Sequence, residues 1–145
     1  MRVRPPLAAA LVVAAVLACA GCGDDSDAYC AALKKDQTLF TDTGSGLELI
    51  DNLPRLKALA RKAPSDLDDE WQTVIGAVEA LEDAVRRAGV EPDDFVNGTP
   101  PASLTAAQQA AIAAAASEVA SPDVVDAFSG IDQQAKDVCK LQLGL

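Results

Sequence analysis

The sequence predicts an all-α domain, a closed bundle of four to five helices whose first and last members are linked by a disulfide. Apolar residues recur at steps of three and four along most of the chain, and no useful length alternates with period two. Alanine, leucine and valine dominate, while the aromatic residues are confined to Tyr29, Phe40, Trp71, Phe95 and Phe128. Alanine has the highest intrinsic helix propensity and lets helices approach closely. Cys30 and Cys139 stand near the two ends of this helical stretch.

The first 22 residues have a different character from the remainder of the chain. Arg2 and Arg4 precede a 14-residue apolar run, Leu7 to Ala20, which ends in Ala18-Cys19-Ala20-Gly21-Cys22-Gly23-Asp24. A positive start, a short apolar run and small residues at the cut describe a secretory signal peptide. The run is shorter than the roughly 20 residues that a membrane span needs. The expected division is a signal peptide over 1–21, a polar tether over 22–26 and one helical domain over 27–145.

Asp27 reads as an N-cap, followed by a helix from Ala28 through Thr41 with Tyr29, Cys30, Leu33, Gln37 and Phe40 on one face. Thr43-Gly44-Ser45-Gly46 interrupts the pattern. Leu49, Leu53, Leu56 and Ala60 resume it, but Pro54 is tolerated most easily in a first helical turn. The expectation is therefore a short turn near Leu47 to Asp51 and a helix from Leu53 to Lys62. The next helix has every signal. Ser65 and Asp68 suggest a capping box, and Asp66, Asp68, Asp69 and Glu70 suit the positive end of the helix dipole. Leu67, Trp71, Val74, Val78, Leu81 and Val85 form the stripe, and Gly89 comes after Arg86 and Arg87 where a left-handed cap belongs.

Val90 to Pro101 reads as a connection, with one turn over Asp93-Asp94-Phe95. Thr105 and Gln108 form a capping box, with Leu104 as a staple, before an alanine-rich helix to Ala120. Ser121-Pro122-Asp123 starts the last helix, whose stripe is Val124, Phe128, Ile131, Ala135 and Val138. Gly130 inside it costs about 1 kcal/mol relative to alanine, and its missing side chain suggests a close crossing with the alanine-rich helix.

The cysteine at the cut resembles the lipobox of bacterial lipoproteins. In that family the thiol receives a diacylglyceryl group and becomes the new N-terminus. Val16-Leu17-Ala18 before Cys19 and Ala20-Gly21 before Cys22 both fit in part. Parity favours Cys22, because cutting before Cys19 leaves an odd exported thiol at Cys22. An ordinary cleaved signal with soluble secretion is the alternative. Tyr29-Cys30 opening the first helix, Cys139 near the end of the last and the Ala-Gly-Cys-Gly-Asp-Asp ending together resemble small alanine-rich helical lipoproteins of the actinobacterial type. That resemblance implies an outer-face membrane location and carries over no catalytic residues.

Export changes the meaning of the cysteines. Cutting before Cys22 leaves Cys30 and Cys139 as a pair in an oxidising compartment, so a disulfide is expected rather than two buried thiols. It also removes Arg2 and Arg4, leaving 22 acidic residues against 10 basic and taking the charge from −10 to −12. Nucleic acid is thereby disfavoured as a partner, since its binding depends on Lys and Arg neutralising phosphates.

Histidine is absent, and there is no glycine-rich phosphate loop, calcium-loop pattern or Gly-x-Ser-x-Gly motif. No cofactor or metal is expected, and no catalytic residue stands out. Trp71 reads as core. Phe95, in a polar loop, either folds back on the core or contacts a partner. The expected function is a non-enzymatic binding or structural module, held at the membrane through its N-terminal lipid, with an envelope protein or small ligand as partner. The alternative is a soluble secreted protein that binds a small ligand or works as a carboxylate enzyme.

Overall fold

The helix from Asp68 to Ala88 is the axis around which the others are arranged. A computed structural model describes residues 24–41 and 46–144. Among them are helices α1 (Asp24–Lys35), α2 (Leu47–Ala60), α3 (Asp68–Ala88), α4 (Ala106–Val119) and α5 (Pro122–Gln134). α2, α4 and α5 all pack against α3, while α1 meets α2 and the turn at the end of α5. The described residues contain no β-strand, only an isolated bridge between Val96 and Thr99. The described part of the chain is all-α, as its periodicity predicts. The signal-like segment and both lipidation candidates, Cys19 and Cys22, lie outside the described residues, as do 42–45.

α1 starts three residues before the expected Asp27 cap, so Asp24, Asp25 and Ser26 are helical rather than part of a tether. It also ends sooner than expected. After Asp36 the chain tightens into a 3-10 turn, Gln37–Phe40, which buries Leu39 and Phe40. Asp36 is held by the Arg55 guanidinium, whose Nε lies 3.0 Å from Oδ1.

α2 departs most from expectation, because one helix runs unbroken through Pro54. Proline removes a backbone donor and crowds the carbonyl a turn earlier, costing about 3 kcal/mol in a helix interior. Burial outweighs that cost. Leu47, Leu49 and Ile50 before the proline and Leu53, Leu56 and Leu59 around and after it are all buried, and each large aliphatic side chain removed from water contributes roughly 1.5–3 kcal/mol.

α3 matches its predicted stripe at every position, with Leu67, Trp71, Val74, Val78, Leu81 and Val85 buried. Its end is also as expected: Gly89 adopts φ 75°, and the N–H groups of Gly89 and Val90 return to the carbonyls of Arg86 and Val85. The Ser65–Asp68 capping box does not form. Pro64 is extended and Ser65–Leu67 make a 3-10 turn that leads into the helix, with Leu67 at the N-cap and no side-chain cap bond. Ser65 thus falls inside the turn, where its hydroxyl is not aimed at the amides of α3, and Leu67 inserts into the core instead.

α4 and α5 begin as predicted. Thr105 Oγ1 accepts from the Gln108 N–H, and Gln108 Oε1 accepts from the Thr105 N–H at 2.9 Å. Ser121 caps α5 through the Val124 N–H. Gly130 does make room, but for α3 rather than α4: a Cβ there would lie 3.1 Å from Cγ of Glu70.

The end of α5 differs again. Ala135–Cys139 forms a π-turn, and an added residue rotates the chain beyond it by about 100° on a helix of 3.6 residues per turn. Val138, expected in the stripe, is therefore 51% exposed. Cys139 faces α1 and bonds to Cys30, with Cα atoms 5.1 Å apart. Beyond Lys140 the tail is pinned. The Leu143 side chain is fully buried and its N–H reaches the buried Asp132 carboxylate at 3.2 Å. Lys136 pairs with the same carboxylate, and Gln37 Nε2 donates to the Gln142 carbonyl.

Candidate functional site

The candidate site lies where the α3–α4 connection folds over the start of α2. Pro92–Asp94 forms a 3-10 turn, closed by the Glu91 N–H on Asp94 Oδ2 at 2.9 Å. This turn packs against α2 and delivers Phe95 to the core edge, where it is half-buried. The chain then reverses through Asn97 and Gly98, both with positive φ (52° and 75°), between the paired Val96 and Thr99. Asn-Gly suits this geometry, since a turn of this kind needs left-handed backbone at both central positions. Val96 is left 70% exposed at the tip.

Two cavities open on either side of Phe95. One, of about 300 Å³, lies between Leu47, Phe95, Pro100 and the α4 residues Ile112, Ala113 and Ala116. Its origin is in the sequence of α4. Ala113 and Ala116 carry only a methyl group, so they cannot fill the space opposite Leu47 and Phe95. The other, of about 340 Å³, is bordered by Glu48, Asp51, Pro92, Asp93 and Asn97. Leu47, Phe95 and Gly98 border both, so the two cavities adjoin as the apolar and the acidic lobe of this groove.

Phe95 packs partly on the core, the first of the two readings that the sequence allowed, and also borders both cavities. The remaining sequence candidates are elsewhere. Cys30 and Cys139 form the disulfide on the α1 side of the molecule. Trp71 is buried, and its indole N–H donates to the Tyr29 hydroxyl at 3.1 Å. Burial pushes the pKa of that hydroxyl up to about 12; the Trp71 bond opposes the shift and the charge of Asp66 adds to it.

Among the described residues, no Ser, Thr, Cys or Lys borders either lobe beside its carboxylates. Asp51 and Asp93 are exposed at the rim. Among the described residues, no three His, Cys, Asp or Glu side chains are grouped to hold a metal ion, and no helix is long and apolar enough to cross a membrane. Compared with protein-family models, curated proteins and solved structures, the chain matches none.

Proposed function

We propose that this chain is an exported binding module without catalytic activity, anchored to the outer face of the cell membrane by a lipid on Cys22. The observation that carries the binding reading is the groove shared by two cavities at Phe95. Binding sites are concave, largely apolar and fitted with a few polar groups at defined places. The lipobox-like sequence around Cys22 supports the anchor, and the Cys30–Cys139 bond suits export to an oxidising compartment. In this reading the disulfide and the docked tail close the bundle at α1, leaving the Phe95 groove as its open face.

Intact-mass analysis of the protein from its producing cells tests the anchor. The expected species begins at a diacylglycerated Cys22 and is lost in Cys22→Ala. An N-terminus at Cys19, or an unmodified one, overturns the choice and favours the soluble secreted alternative in the second case. A photo-crosslinking residue in place of Phe95, used in intact cells, tests the surface. Distinct products are expected there and not from the same residue in place of Val125, which is also exposed (53%) but remote in sequence from the groove. Identical products at both positions overturn the binding assignment.

A further inference from the structure

We propose that the groove takes a small amphipathic organic cation, with its apolar body against α4 and its cationic head beside Asp51 and Asp93. This inference rests on the groove being the binding surface and names the class of ligand it selects. The lobes differ in chemistry and share Leu47, Phe95 and Gly98 as a common border. On the α4 side, Ile112, Ala113 and Ala116 face Leu47 with hydrocarbon, and the one polar side chain bordering this lobe among the described residues, Gln109, already donates its Nε2 to the Leu104 carbonyl at 3.2 Å, so a charged group entering there loses water for little return. On the other side, Asp51 and Asp93 place negative charge at the rim.

Among the described residues, no Lys or Arg borders either lobe to offset the charge of Asp51 and Asp93. An anion would meet like charges, and a purely apolar molecule would leave the acidic lobe empty. A bare metal ion is a poor match, because these carboxylates do not gather into a ligand set. A cation joined to an apolar body satisfies both lobes at once. Phe95 at the junction adds to this preference, since an aromatic ring attracts a cation within about 6 Å of its centroid. The volumes of about 300 and 340 Å³ set the scale. They correspond to small ligands, near the lower end of known pockets.

Three probes of nearly equal shape isolate the charge: 2-phenylethylammonium, 2-phenylethanol and 3-phenylpropanoate. Each is titrated by ligand-observed NMR against the full chain purified from its producing cells, in lipid nanodiscs, with protein-free nanodiscs subtracted. The ammonium is expected to bind at least tenfold more tightly than the alcohol, and the carboxylate to show no saturable binding. In the Asp51→Asn/Asp93→Asn variant the difference between ammonium and alcohol should shrink below twofold, while Phe95→Ala should weaken both at least fivefold. Urea midpoints of the variants verify that they are folded. Equal binding of ammonium and alcohol to the unaltered chain, with Phe95→Ala still weakening both, overturns the cation assignment but leaves the groove as a binding surface. Absence of binding by all three probes overturns both.

Discussion

Trp71 and Tyr29 meet edge to face in the core, with ring centroids 6.5 Å apart and planes at 86°. The indole N–H donates to the phenol oxygen at 3.1 Å. The pair joins α1 to α3 although 42 residues separate its members. Neither ring meets bulk water, so the hydrogen bond cannot be exchanged for one to solvent. Tyr29→Phe keeps the ring contact but strands the indole donor, and an unsatisfied buried donor costs about 1–3 kcal/mol. Urea denaturation tracked through Trp71 fluorescence should give a loss in that range. An unchanged midpoint would show that the bond contributes nothing.

The same hydroxyl makes the protein sensitive to alkali. The folded-state pKa of about 12 lies above the ordinary tyrosine value of 10.0. The raised value belongs to an acid that is neutral when protonated, so its stabilisation is fully present below pH 10. It is lost as the unfolded chain, but not the folded one, releases the proton between pH 10 and 12. At about 1.4 kcal/mol per pH unit, the loss across that window amounts to about 3 kcal/mol. Denaturation midpoints should fall over this range, and Tyr29→Phe should remove the part due to this residue. A decline of equal slope in that variant assigns it to other groups.

Cys30 and Cys139 close a loop spanning a sequence separation of 109. In the chain-entropy model such a loop stabilises by up to about 4.7 kcal/mol. That is a large share of the roughly 5–15 kcal/mol that holds a domain together. The double Cys30→Ser/Cys139→Ser variant should lose about 2–5 kcal/mol in urea. Thiol labelling of the unreduced, unfolded protein should find both residues blocked. Two reactive thiols would remove the bond and, with it, the proposed closure of the bundle.

The parts of the fold legible in the sequence are those whose signals are local. The starts of α4 and α5 are written in Thr105, Gln108 and Ser121, and the stripe and end of α3 in Leu67 to Gly89; these needed no distant partner. The continuity of α2 through Pro54 did need one, because buried leucines on both sides override a local penalty. The π-turn is the same kind of case. Val138 has the spacing of a core residue, but docking of Leu143 and the Cys30–Cys139 bond fix a different register. Phe95 was visible as an odd aromatic in a polar loop. The groove beside it was not, since its apolar wall is shaped by what Ala113 and Ala116 lack, and periodicity records presence rather than absence. The Asn97-Gly98 dipeptide was the signal available for the reversal that frames it.

Gly130 offers a test of packing against propensity. Alanine is favoured over glycine by about 1 kcal/mol in a helix interior. Against that, the new methyl would lie 3.1 Å from Cγ of Glu70 and 3.4 Å from its Oε1, closer than ordinary contact. The neighbour that must yield is a flexible side chain rather than backbone. It also has little to hold it in place, because Glu70 Oε2 is buried without a hydrogen-bond partner. Turning Glu70 outward by a few tenths of an ångström relieves the contact and lets water reach that oxygen. Gly130→Ala should therefore stabilise the fold, by up to about 1 kcal/mol. Glu70→Ala combined with Gly130→Ala separates the two terms, since without Glu70 the full propensity gain should appear. A loss of stability in the single variant that Glu70→Ala restores would mean that α3 holds this side chain rigidly against α5. A loss that persists in the double variant would mean that the helix itself, and not the neighbour, requires glycine.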